Sequence, residues 1–133
     1  MRLVKDVLEQ RKVIQISPTS TVLDAARLMA LHRIGALIAF DGKAMIGIVT
    51  ERDILTRVVA TGKDQKTTTV ASVMTPDPKT ISADKPFVNA LIMMRDGDFR
   101  HLPVVDGGEV VGMVSIRDAV GAELEEESQL DLG

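Results

Sequence analysis

A shift of 65 residues lays positions 16–54 over 81–119 without a gap. Eleven of these 39 pairs are identical: Ile16/Ile81, Ser17/Ser82, Ala25/Ala90, Met29/Met94, Leu37/Leu102, Asp41/Asp106, Gly42/Gly107, Gly47/Gly112, Val49/Val114, Arg52/Arg117 and Asp53/Asp118. Upstream, Val4 and Val7 fall on Val70 and Val73 once one residue is dropped. An internal duplication of this size constrains the fold more than any single motif, because both copies must form the same supersecondary unit. Two copies are too few for a stacked solenoid. Two half-domains about a pseudo-two-fold axis are expected, with repeat 1 over residues 1–66 and repeat 2 over 67–133.

The elements repeat in the same order. Residues 13–16 and 80–81 read as short extended stretches. A helix follows, with Val22, Ala25, Ala26 and Met29 on one face in the first copy and Phe87, Ala90, Leu91 and Met94 in the second, the spacing of a buried stripe. Thr21 suits the N-cap and Pro86 the first turn of the partner helix. Gly35 and Gly97 are expected to stop these helices in the left-handed conformation. Strands are expected over 36–40 and 44–50, and over 102–105 and 109–115. They are joined across Asp41-Gly42 and Asp106-Gly107-Gly108, since Asp-Gly between apolar runs signals a hairpin. Pro103, lacking a donor, belongs at a strand start or edge. A second helix closes each copy, over 51–60 and from 116 to about 127. Residues 70–74 read as one helical turn, and the Glu-rich tail from about 123 as a solvated, fraying end.

Composition limits what such a pair can do. Apolar residues make up 45% of the chain but aromatics only 2%, so the core is aliphatic and stacking platforms for nucleic-acid bases are scarce. A net charge of −3 argues against non-specific nucleic-acid binding. The absence of cysteine excludes disulfides and thiolate metal sites. No apolar run reaches the ~18 residues of a membrane span, and the N-terminus lacks a secretory h-region. A cytoplasmic protein without nucleic-acid or membrane partners is expected. Two histidines, His32 and His101, are too few for a closed zinc site, and no metal is expected.

The chemistry concentrates where the last strand meets the closing helix: Thr50-Glu51-Arg52-Asp53 and Ser115-Ile116-Arg117-Asp118. One reading is a capping box, the hydroxyl accepting a first-turn N–H and the acid reaching back. The other is a ligand seat, with Asp accepting from a ribose diol and Ser or Thr donating to a phosphate at a helix tip. Gly47 and Gly112 weaken their strands unless a bulge or a close ligand requires them. The two readings are compatible. Arg52 and Arg117 are either surface residues or phosphate contacts. His101 is either a structural polar contact or a ligand contact.

The helix–strand–strand–helix order, the twice-repeated Gly-apolar-x-Ser/Thr-x-x-Asp and the run from Arg100 to Asp106 resemble a tandem pair of CBS (cystathionine β-synthase) domains, a Bateman module, of the small stand-alone bacterial type. The resemblance covers about residues 4–126. It implies a mixed α/β (α+β) fold, two pseudo-symmetric β-α-β-β-α repeats packed sheet to sheet with helices outside and two clefts between them. It implies a regulatory module, not an enzyme, that needs no cofactor and binds AMP, ADP, ATP, NAD(H) or S-adenosylmethionine. Carried over, it nominates Asp53 with Thr50 and Asp118 with Ser115. Ser20, Ile34, Gly35 and Ala36 would come from the first half, and Lys85, Phe99, Arg100 and His101 from the second. Ile48 and Met113 would meet the adenine. With cations at 100 and 101 but Gly35-Ala36 at the equivalent positions, the resemblance implies one dominant site or two of unequal affinity. It also implies a homodimer. The alternative function is a ligand-independent interaction module. A nucleotide hydrolase is disfavoured, since no Walker-type loop or carboxylate cluster beside a histidine is present.

Overall fold

The computed structural model describes residues 1–9 and 11–130. The chain forms two compact units: a central unit, Ile14–Pro78, and a flanking unit made of Met1–Val13 with Lys79–Gly133. The units do not follow a cut at residue 66. In each, the short helix belongs by sequence to the other repeat.

In the central unit β1 (Gln15–Ile16) lies parallel to β2 (Ala36–Asp41), which pairs antiparallel with β3 (Ala44–Thr50). A fourth strand, β4 (Thr75–Pro76), adds to β3 through Gly47↔Pro76 and Ile48↔Thr75; the sequence reads there only as an extended turn. Helix α2 (Val22–His32) starts on a complete capping box. Asp24 N–H donates to Thr21 Oγ1 (3.2 Å), and Thr21 N–H to Asp24 Oδ2 (3.4 Å). Its buried face, Val22, Ala25 and Met29, meets Leu37, Ala39 and Val49 of the sheet. Helix α3 (Glu51–Ile54) passes into a π-helical stretch, Leu55–Val59, which drives Val58 into the same core. Val70 and Val73 of α4 (Val70–Val73) complete it.

The flanking unit repeats this plan with three strands. β5 (Ile81–Ser82) is parallel to β6 (His101–Asp106), and β6 is antiparallel to β7 (Glu109–Ser115). Each hairpin carries an irregularity at the same place, between Ala39 and Phe40 and between Val104 and Val105. Helix α5 (Phe87–Gly97) contributes Phe87, Ala90, Leu91 and Met94, and α1 (Val4–Leu8) contributes Val4, Val7 and Leu8.

The docking of the short helices is the same in both units. Val4 N–H donates to Lys85 O (2.8 Å), and Val70 N–H to Ser20 O (2.8 Å). Lys5 N–H reaches Ala83 O (2.9 Å), and Ala71 N–H reaches Pro18 O (3.0 Å). The backbone turn before α2 holds α4, and its counterpart before α5 holds α1.

Four local expectations are corrected. The left-handed residues that end α2 and α5 are Arg33 (φ 53°) and Asp98 (φ 54°), not the glycines. Gly97 is needed for another reason: a side chain there would collide with the Phe99 ring. Pro86 is the N-cap of α5, just outside the first turn. Pro103 lies inside the middle strand, but β5 pairs only with Val104 and Val105, so no ladder bond is lost at its nitrogen.

The fourth correction concerns the closing helix of repeat 2. After one 3-10 turn, Ile116–Asp118, the chain is extended at Ala119 and Val120 and restarts as α6 (Gly121–Gln129). The break is stabilised both from outside the helix and by its own first turn. Arg2 Nη2 donates to Asp118 O (2.8 Å), and the Glu123 carboxylate accepts from Val120 N–H (3.1 Å). The acidic end is pinned: Arg2 Nη2 lies 2.6 Å from Glu123 Oε1, and Arg95 Nη1 donates to Glu127 O (2.7 Å). Residues 131–133 of the expected tail lie outside the described residues.

Candidate functional site

Both strand-to-helix junctions form the reciprocal cap that their sequences allow. Thr50 is extended (φ −117°, ψ 162°), so its hydroxyl faces the first turn. Asp53 N–H donates to Thr50 Oγ1 (3.1 Å), and Thr50 N–H to Asp53 Oδ2 (2.9 Å). In the flanking unit Ser115 N–H donates to Asp118 Oδ2 (2.8 Å), while Ser115 Oγ accepts from Arg117 N–H (3.2 Å). Each carboxylate is thus fixed by one oxygen, and each hydroxyl, used as an acceptor, keeps a proton to donate. Both carboxylate side chains are mostly buried, 13% exposed for Asp53 and 11% for Asp118.

The second oxygen of each carboxylate meets an arginine that sequence reading did not nominate. Arg57 Nε stands 3.7 Å from Asp53 Oδ1, beyond hydrogen-bond reach, and Arg57 Nη1 donates instead to Val73 O (3.0 Å). Arg11 Nη1 approaches Asp118 Oδ1 to 2.8 Å, a close ion pair. Arg57 was legible as an i, i+4 partner on the closing helix. Arg11 was not, because its position depends on where α1 docks.

The remaining nominated residues divide between the two units. In the central unit, Ala36 pairs with Thr50 and Gly35 O accepts from Glu51 N–H (2.9 Å), so Ile34-Gly35-Ala36 borders the Asp53 junction. Ile48 lies two residues before Thr50 on β3, paired with Ile38 and buried. In the flanking unit His101 pairs with Ser115, and Arg100 O accepts from Ile116 N–H (3.1 Å), which sets Phe99-Arg100-His101 beside the Asp118 junction. Met113 is half-buried opposite Pro103. Arg52, Arg117, Arg100 and Lys85 are exposed. Ser20 and Lys85 have a structural duty through their carbonyls, which hold α4 and α1.

The strand glycines are explained by packing, not by a ligand. A Cβ at Gly47 would collide with Met74 Sδ, and one at Gly112 would stand 2.7 Å from Leu8 Cδ2. Leu8 and Met74 are equivalent positions of the repeat, so each glycine makes room for the side chain at the C-terminal end of a docked helix. The helix-tip argument also differs between the copies. The Asp53 junction opens a helix continuing to Val59, whereas the Asp118 junction opens a single 3-10 turn, too short for an appreciable dipole. Among the described residues no group of three or more His, Asp or Glu could hold a metal ion. Among them, too, no helix is long and apolar enough to cross a membrane.

The electrostatics of the flanking unit centre on Arg2. Its hydrogen bond to Glu123 lowers the Glu123 pKa, aided by the Val120 N–H and the Arg2 charge, and raises that of Arg2. The Arg2 guanidinium also lies 5.4 Å from the Phe87 ring centroid, a cation–π contact.

The CBS domain family matches residues 4–60 and again 70–125. The chain belongs to the CBS-domain family. Its sequence is 43% identical over 110 residues to the CBS domain-containing protein CBSCBSPB2 of Arabidopsis thaliana, an alignment covering 82% of the chain and 20% of the plant protein. The chain therefore spans about a fifth of the length of the first curated relatives it matches. Among solved structures it is similar to a protein with CBS domains from Burkholderia ambifaria (32% identity, TM-score 0.87, 99% of this chain and 100% of that one). It is also similar to CBS domain protein PAE2072 of Pyrobaculum aerophilum, which was solved complexed with AMP (30% identity, TM-score 0.85, 97% and 100% covered). Two CBS repeats, two sheets and mixed α/β architecture thus agree between sequence and structure.

Proposed function

We propose that this CBS pair is a regulatory module that binds an adenosine nucleotide, AMP before ADP, ATP, NAD(H) or S-adenosylmethionine, and catalyses no reaction. The observation carrying this reading is the duplicated carboxylate. Asp53 and Asp118 each give one oxygen to the cap at a strand end, next to a hydroxyl that retains a proton, and the other oxygen of Asp118 pairs with Arg11. A carboxylate has about four lone-pair positions, so one cap bond leaves room for both hydroxyls of a ribose. Thr50 and Ser115 donate to the phosphate in this reading. Arg52, Arg117, Arg100, His101 and Lys85 supply positive charge, and Ile34, Gly35, Ala36, Ser20, Phe99, Ile48 and Met113 frame the nucleoside. The AMP bound by the Pyrobaculum relative supports the choice of nucleotide.

Ligand affinity that differs between two conformations shifts their populations, and that shift is the regulatory output. Thermal unfolding with each nucleotide in turn tests the reading. AMP at a hundredfold its Kd stabilises by about 2.7 kcal/mol per site, a rise of several degrees. Unchanged melting with all five nucleotides contradicts it.

A second reading, a nucleotide-independent interaction module, has its own observation. Leu55 and Val59 are one turn apart and both exposed, as are Val120 at the N-cap of α6 and Leu124 within it. The proposed homodimer draws on these faces. Sedimentation equilibrium of the wild type and of Leu55→Glu/Val59→Glu tests it: a dimer that becomes monomeric agrees, and a wild-type monomer does not.

A further inference from the structure

We infer that Arg11 is an internal competitor for the carboxylate of Asp118, so that a ligand enters that junction only by displacing Arg11 and the Asp53 junction fills first. This inference rests on the proposed ribose role of the two aspartates. The junctions are equivalent in sequence but not in what meets their outward oxygens. Asp118 Oδ1 is ion-paired with Arg11 Nη1 at 2.8 Å, whereas the cation paired with Asp53 Oδ1, Arg57 Nε, stands off at 3.7 Å with Nη1 committed to Val73 O. A ribose diol approaching Asp53 meets an oxygen that, among the described residues, accepts no hydrogen bond. At Asp118 it meets one already neutralised by a guanidinium at 2.8 Å, and in a mostly buried setting such a pair is screened less than at the surface.

Arg11 is built to leave. Its side chain is 49% exposed while that of Asp118 is 11% exposed, so on displacement the guanidinium passes into water and the buried carboxylate exchanges its ion pair for the ribose hydroxyls. The rest of the segment is anchored independently. Arg2 holds Asp118 O and Glu123, and Val4, Val7 and Leu8 sit in the core. Displacement thus involves one side chain, not the undocking of α1. Linkage makes the competition reciprocal: a ligand on Asp118 frees Arg11, and a bound Arg11 weakens the ligand by the same factor.

Titration calorimetry with AMP on Asp53→Ala, which leaves only the Asp118 junction, tests this. Adding Arg11→Ala is expected to tighten AMP binding about fivefold, and Arg11→Lys to tighten it less. Without Arg11→Ala, Asp53→Ala binds AMP more weakly than Asp118→Ala does. In the unmodified protein, NMR of the Arg11 Nε–H should show a shift toward the free-arginine position when AMP saturates both junctions. Unchanged or weaker binding on Arg11→Ala overturns the inference, weaker binding marking Arg11 as a ligand contact. If AMP binds neither single-aspartate variant nor the wild type, the ribose assignment fails and this inference fails with it.

Discussion

A methyl group placed on Gly112 meets Leu8 Cδ2 at 2.7 Å, and one on Gly47 meets Met74 and, at 3.0 Å, the carbonyl oxygen of Thr75. The Leu8 contact can relax by rotation, whereas a backbone oxygen cannot. Gly47→Ala is therefore expected to destabilise more than Gly112→Ala, both within about 1–3 kcal/mol, measured from urea midpoints. Glu123 gives a pH signature at the same scale. Its folded pKa is lowered by the Arg2 bond, so its contribution is full above the unfolded value and is lost as pH falls through the folded one. Arg2→Ala should therefore cost stability at pH 7, with the gap to wild type narrowing in urea melts below about pH 4.5. A gap independent of pH would mean that Arg2 acts through Phe87 and Asp118 O alone. At this scale the two capping boxes were legible in Thr-x-x-Asp and Ser-x-x-Asp, because caps are local. The glycines were legible as anomalies but assigned the wrong cause. Nothing near Gly47 or Gly112 in sequence announces Met74 or Leu8.

Elements were read well where local signals agree. The hairpins formed at Asp-Gly, with Gly42, Gly107 and Gly108 all at positive φ, and α2 began at Thr21. Helix ends were read less well. Arg33 holds a left-handed conformation that costs a non-glycine residue about 1 kcal/mol, so Arg33→Gly should raise stability by roughly that amount in thermal melts. A loss would show that the Arg33 side chain makes a compensating contact. The break before α6 escaped prediction because the Glu-rich run continues a helical pattern past it. What opens the chain at Ala119 and Val120 is Arg2, 116 residues away from the carbonyl it holds. The π-helical stretch after Ile54 has no sequence signal of its own either. Its consequence is the placing of Val58 in the core.

On the scale of the whole molecule, the duplication announced two similar halves, and the pattern Val4/Val7 against Val70/Val73 announced a short helix before each. Which half each helix serves could not be read, since both turns that receive them offer equivalent carbonyls, Lys85 O and Ser20 O. The consequence is that removing residues 1–12 should unfold the flanking unit, not merely shorten repeat 1. The deletion takes Val4, Val7 and Leu8 from its core, each worth about 1.5–3 kcal/mol of burial. Hydrogen exchange of the truncated chain should show protection lost in α5, β6 and β7, and full protection there would contradict the packing described. The regulatory reading turns on Asp53 and Asp118 as ribose acceptors. Titration calorimetry of AMP against wild type, Asp53→Ala, Asp118→Ala and the double variant addresses it most directly. The account predicts that each single variant loses its own binding event and the double variant binds nothing; wild-type affinity retained in the double variant would contradict it.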